Sequence, residues 1–308
     1  MKQKKNFKKI VLIVGIILLL ISLIGLIFYL QYRKTDTFQL SKLGYTKEEI
    51  TLMKEKKVNL NLILKEEKIN ILSSLLNEKY YLSRRLERYI NYYKQNKEKS
   101  SNEVVRMVNA NRDKENYTDV KEVYGNDITI LTNRYYKLEE NFLPTDLVDM
   151  NLQFAYDNQK IRQEVNTAYM QMAKAAKEEN ITLIVGTSYR SYEKQKEIYD
   201  STVRKNGQSI ADTLVAKAGH SEHQTGLALD IFTYGSNEEF ESSNAYLWLK
   251  ENCYKYGFIE RYPKDAEEIT GFSYEPWHYR YVGDEIAKII HEENITFDEY
   301  YTYYIEQY

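Results

Sequence analysis

The pattern of apolar and polar residues changes period several times along this chain, and each change predicts an element. Ile10 to Leu30 is 21 residues without a charge. As a helix it would be about 32 Å long, enough to cross a bilayer. Thr46-Lys-Glu-Glu49 has the form of a capping box and predicts a helix start. Leu82, Leu86, Tyr89, Ile90 and Tyr93 then fall on one face of an amphipathic helix. Lys94 to Arg112 is polar and reads as a loop-rich junction, and no proline interrupts the chain before Pro144. Further on, Ile161, Val165, Ala168, Tyr169, Met172 and Ala176 form an apolar helical stripe ending near Asn180. Ile181 to Gly186 reads as a buried strand, and Ser191 can cap a helix that Gly207 ends. Leu227 to Ile231 alternates with period two, which turns Leu227, Leu229 and Ile231 to a core and Asp230 to the opposite face. The same alternation in Trp277 to Val282 puts His278 and Arg280 together on one face. A helix before each of several short strands predicts an α+β domain with a small, mainly antiparallel sheet.

Charge gives the first apolar stretch a direction. Five lysines lie between Met1 and Lys9, and only Arg33 and Lys34 follow closely. By the positive-inside rule the N-terminus is expected in the cytoplasm, with a single-pass anchor in the cell membrane and the rest of the chain outside. A cleaved signal peptide is the competing reading. It would have a shorter apolar core and a small-residue cleavage site, which Phe28 to Arg33 does not offer. Seven of the 43 Lys and Arg precede Asp36 while all 45 Asp and Glu lie from there on, so the outer portion carries about −9 and nucleic acid is not an expected partner. The single cysteine, Cys253, cannot form an internal disulfide and reads as a small buried side chain. The expected organisation is a basic tail and anchor over residues 1–34, a helical region over 35–137 and a chemical domain over 138–308. The middle region is either a spacer or docking module, or a small helical domain packed on its neighbour. Most of the 30 tyrosines sit at helical or strand spacing and read as packing; Tyr300, Tyr301, Tyr303 and Tyr304 also suit sugar contact.

Two of only four histidines stand near acids in Ser221-Glu-His-Gln-Thr-Gly-Leu-Ala-Leu-Asp230 and Glu275-Pro-Trp-His278. A catalytic zinc usually takes three protein ligands and keeps a fourth position for water. His223, Asp230 and His278 can supply the three, and Glu275 is a carboxylate free to take that water's proton. Either histidine alone would read as an ordinary surface residue; the joint pattern reads as a metallohydrolase. His220 would be superfluous as a fourth protein ligand and His291 falls late in a helix, so neither joins the set.

The motif S-x-H-x-x-G-x-A-x-D followed by E-x-W-H resembles the VanY-type D-alanyl-D-alanine carboxypeptidases, zinc peptidases of bacterial cell-wall metabolism. The likeness runs from Leu138 to Glu293. It takes in Ser188-Tyr-Arg-Ser191 with Gln195, the segment Trp248 to Pro263, and Leu143 to Val148. The resemblance implies a zinc DD-peptidase (hedgehog/DD-peptidase-like) domain, zinc held by His223, Asp230 and His278, and Glu275 as catalytic base. It also implies that Arg190, with Ser221 and Gln195, contacts the substrate. The implied partner is the peptidoglycan stem peptide, trimmed of its C-terminal D-alanine; an L,D-carboxypeptidase or endopeptidase acting on the same stems stays open. A non-catalytic wall-binding module with structural zinc is the other class, and Glu275 argues against it, because a structural site needs no positioned base. Ser191-Tyr-Glu-Lys194 and Ser242-Ser-Asn244 formally match serine-type motifs, yet no Lys-Thr-Gly follows.

Overall fold

The uncharged N-terminal run lies in one helix, Lys2–Tyr32, whose apolar side chains from Leu12 onward point outward on every side. By length and composition Leu12–Tyr32 can cross a membrane; a signal sequence passes the same test. This computed structural model describes residues 2–234 and 239–306. It divides into two compact units, Met1–Val105 and Arg106–Tyr308.

After the long helix, the first unit is a set of short helices closing on Leu40, Met53, Ile63, Leu72, Leu76 and Ile90. The capping box forms: Thr46 Oγ1 accepts the Glu49 amide, and Glu49 Oε2 accepts the Thr46 amide at 2.7 Å. Leu86, Tyr89 and Ile90 are the buried face of helix Leu86–Gln95. The stretch expected to be a loop-rich junction contains a helix, Ser101–Asn109. Ser100 and Glu103 cap each other at its start, and Val104, Val105 and Val108 are buried. Polar flanks hid a short apolar stripe.

The second unit begins 32 residues ahead of the boundary expected at 138. Residues 106–137 contain little regular structure and so little periodicity to read. They nevertheless bury Ile130 in the main core, and Leu131, Tyr135 and Tyr136 in a second cluster with Ile259, Val282, Phe297 and Tyr300.

At the centre is an antiparallel sheet of strands β1 (Ile184–Thr187), β2 (Ala228–Phe232), β3 (Phe258–Glu260) and β4 (His278–Tyr281), in the order β1-β2-β4-β3. Helix α1 (Gln163–Glu178) packs Val165, Tyr169, Met172, Ala173 and Ala176 into the core that also takes Leu227, Leu229, Ile231 and Tyr279. Helix α2 (Tyr192–Asn206) is capped by Ser191 and stopped by Gly207. The register shifts between Val185 and Thr187, a bulge at Gly186, where a Cβ would stand 2.8 Å from the Phe232 ring. The bulge sets Thr187 opposite Asp230 and leads the chain into Ser188-Tyr-Arg190. Cys253 is buried, and burial pushes its thiol up to about 12. The C-terminal tyrosines are accounted for by packing: Tyr300 and Tyr303 are buried, Tyr301 meets Tyr136 edge to face, and Tyr304 reaches Glu293.

Candidate active site

Strands β2 and β4 pair so that Asp230 stands opposite His278. The alternation that sends Leu229 and Tyr279 into the core therefore brings a carboxylate and an imidazole to one spot on the other face. His223 arrives from the 3-10 turn Glu222–Thr225, which leads into β2 through Gly226. Gly226 has φ +66°, and a Cβ there would lie 2.9 Å from Cγ of Arg162, so the turn needs glycine. The β1 extension reaches the same turn: the Arg190 amide donates to the His223 carbonyl at 3.1 Å, and His223 Nδ1–H donates to the Ser188 carbonyl at 2.7 Å. That bond turns His223 Nε2 toward Asp230 Oδ1, 3.4 Å away. His278 Nδ1 lies 3.1 Å from the same oxygen.

Two imidazole nitrogens and a carboxylate oxygen thus converge, all within 4.8 Å of one another and buried. Metal–ligand bonds of about 2.0–2.1 Å in a tetrahedron place neighbouring donor atoms about 3.3 Å apart, close to the spacing between Asp230 and each histidine. Donor type, spacing and the backbone hold on His223 all fit zinc. Burial alone would raise the Asp230 carboxyl, but His223 and His278 outweigh it and hold the group well below the usual carboxylate range. His278 moves the other way: burial lowers it, and Asp230 and Glu222 overcome that to push it up to about 9.

Glu275 lies in the loop before β4, with Oε2 3.6 Å from His278 Nδ1. Burial pushes its carboxyl up to about 7, and Asp230 adds to the rise while His278 and Arg190 oppose it. Arg190 donates to Gln195 Oε1 at 2.7 Å and comes to 4.0 Å from Asp230 Oδ2. Gln195 in turn donates to the Ala216 carbonyl at 2.7 Å, so its amide braces Arg190 as well as lining the site. All seven residues singled out in the sequence, with Ser221 among them, line one cavity of ≈ 200 Å³. Tyr262, Phe272, Trp277 and Glu222 are also among its lining residues. Sequence reasoning passed over these four; only the neighbourhood of Glu222 and Trp277 to the ligand motifs could have flagged them.

The other histidines lie elsewhere. His220 bonds the Asn133 carbonyl through Nδ1 at 2.6 Å, and burial lowers it to about 4. His291 stacks on Tyr254 with ring centroids 3.8 Å apart. Ser191 is occupied as the cap of α2, and the Lys194 ammonium pairs with Glu197, so no serine–lysine pair forms there.

Residues 158–284 match the VanY family model, described as D-alanyl-D-alanine carboxypeptidase. The chain is 42% identical over 200 residues to YodJ of Bacillus subtilis, a stretch covering 60% of this chain and 73% of YodJ. A solved VanY D,D-pentapeptidase variant from a VanB-type resistance cassette, in complex with Zn(II), is 36% identical; the match covers 56% of this chain and 97% of that one, with a TM-score of 0.50. The chain belongs to the VanY family. As a member of that family it is a zinc metallopeptidase of the D,D-carboxypeptidase class, built on the expected α+β fold. The structure of the LdcB LD-carboxypeptidase is also similar, at 40% identity and a TM-score of 0.57, covering 60% of this chain and 91% of LdcB.

Proposed function

We propose that His223, Asp230 and His278 hold the zinc, that Glu275 is the general base, and that the chain removes the C-terminal D-alanine of peptidoglycan stem peptides from the outer face of the cell membrane. The observation that carries this reading is the convergence of His223 Nε2 and His278 Nδ1 on Asp230 Oδ1, with the Glu275 carboxylate 3.6 Å from His278. When bound, the metal supplies a Lewis acid that acidifies a water and polarises a carbonyl. Glu275, at the edge of the cavity, takes the proton of that water and returns it to the leaving amine. A carboxyl whose burial favours the neutral form is suited to both halves of this shuttle. Arg190 lends positive charge to the oxyanion or to the substrate's terminal carboxylate, and Gln195 holds its guanidinium in place. Ser221 lines the cavity beside His223 and can hydrogen-bond the peptide end.

The D,D reading follows the family description. The likeness to the LdcB LD-carboxypeptidase favours a second reading, cleavage of an L,D bond in the same stems. Incubating the full chain in detergent with pentapeptide and tetrapeptide stems and weighing the products separates them. Loss of one alanine from the pentapeptide alone is expected, and no loss from either overturns the enzymatic reading. We further propose that Lys2–Tyr32 is a retained anchor with its N-terminus in the cytoplasm and that the region before the peptidase unit is a spacer. The mature protein should then stay in the membrane fraction with its Met1-side sequence, and protease added to wall-stripped cells should digest the peptidase unit. A mature N-terminus near Thr35 would overturn the anchor.

A further inference from the structure

Glu222 lies between the residues assigned above, yet the hydrolytic steps make no use of it. Its side chain is fully buried, and one of its oxygens carries its charge partners: Oε1 accepts from Arg261 Nε at 2.8 Å and from Arg280 Nη1 at 3.0 Å. Both guanidiniums are held from behind. Arg261 donates to Asp298 at 2.6 Å, and Asp298 also accepts from Asn133 at 2.7 Å. Arg280 donates to the carbonyls of Ile128 and Ile130. Two carboxylates therefore face two guanidiniums, and the cluster balances its charge without further help. The second oxygen of Glu222 is left over. Oε2 is buried without a hydrogen-bond partner and lies 3.5 Å from His278 Nε2, which is also buried without one. A movement of about 0.5 Å would bring the two to an ordinary N–H···O distance.

Which ring nitrogen of a histidine carries the proton is set by the bond the other nitrogen makes. On the far side of the ring His278 Nδ1 faces Asp230. A proton on Nδ1 would close that gap with a hydrogen bond and block the metal. A proton on Nε2 leaves the Nδ1 lone pair aimed at the cluster. We propose that Glu222 is a positioning residue for the zinc centre: its Oε2 accepts Nε2–H of His278 and holds the ring in the tautomer that presents Nδ1 to the metal. The ion network from Arg280 through Arg261 to Asp298 keeps the carboxylate from turning away. This rests on the ligand set proposed above.

Glu222→Gln is the informative change. The two guanidiniums can only donate, so the amide must turn its oxygen to them and its NH₂ to His278. That NH₂ needs a lone pair on Nε2 and so drives the proton to Nδ1, the wrong tautomer. With the full chain in detergent, competition against a chromophoric chelator should show zinc held about 10–100-fold more weakly than in wild type, as expected when an outer-shell partner of a ligand is lost. His278→Ala, run beside it, tests the ligand set itself. If that variant keeps its zinc, the ligand reading fails. If it loses zinc while folded Glu222→Gln binds as tightly as wild type, only the role of Glu222 fails. Should Glu222→Gln not fold, as judged by circular dichroism, wild-type protein labelled with ¹⁵N-histidine decides. The zinc-loaded form should show His278 bound through Nδ1, with a slowly exchanging proton on Nε2. A metal-bound Nε2, or an Nε2 proton that exchanges freely, overturns the proposal.

Discussion

Glu275 is the residue at which hydrolysis and binding alone give different outcomes. Replacing it with Gln keeps its size and leaves the His223–Asp230–His278 cluster intact. A positioned general base contributes roughly 10²–10⁴-fold in rate, so Glu275→Gln should lose most of its turnover of stem peptide while a metal assay still finds zinc. The same carboxyl predicts a pH effect on stability. Its folded pKa, about 7, lies above the ordinary 4.5 because burial disfavours the ionised form. The stability it allows is therefore fully present below about pH 4.5 and is lost as pH rises through 7. With zinc stripped by chelator, Glu275→Gln should match wild type in denaturant titrations near pH 4. At pH 8 it should exceed wild type by on the order of 1–3 kcal/mol. Parallel curves at both pH values would show that burial does not act on this group as described.

At the scale of elements, the turn Glu222–Thr225 and strand β2 form one device, and Gly226 is its joint. An alanine there would have to hold φ +66°, and its Cβ would press on Arg162. That side chain cannot easily give way, since it bonds Asp146 and the Asn126 carbonyl. Gly226→Ala should lose at least about 1 kcal/mol in denaturant unfolding, and zinc affinity should fall with it because His223 rides on the same turn. Unchanged stability would mean that the joint relaxes. The bulge at Gly186 does the corresponding work on the other side. It lets β1 run on into Ser188 and Arg190, so that a backbone carbonyl and a guanidinium reach the site from one strand.

For the whole molecule, the chain reads as an apolar helix, a helical unit and a peptidase unit, and the limits of the last are testable. A fragment of residues 106–308 keeps Ile130, Leu131, Tyr135 and Tyr136, which belong to the two cores of that unit. It should unfold in a single transition and release alanine from stem peptide. A fragment starting at 138 loses those side chains along with the carbonyls of Ile128 and Ile130 that hold Arg280. It should be insoluble, or expand and lose zinc. Equal folding of the two fragments would move the boundary back to 138.

Much of this could be read from local pattern. The residues proposed as ligands and base, and Arg190, lie in short motifs. Period-two alternation put Asp230 and His278 on the faces opposite the core, and the caps at Thr46 and Ser191 are properties of four consecutive residues. Such features depend on neighbours in the chain, and the sequence by itself determined them, the membrane-length helix among them. Tertiary structure decided what depends on distant partners. Residues 106–137 have no period to betray their burial. That Gln195, implied as a substrate contact, also holds the Arg190 guanidinium shows only in the folded molecule. Nothing in the local pattern marks Glu222; its role shows only where Arg261, held by Asp298, and Arg280 close on it. A buried charge is tolerable only where opposite charges meet it, and those come from segments far apart in the chain, which only the folded molecule brings together.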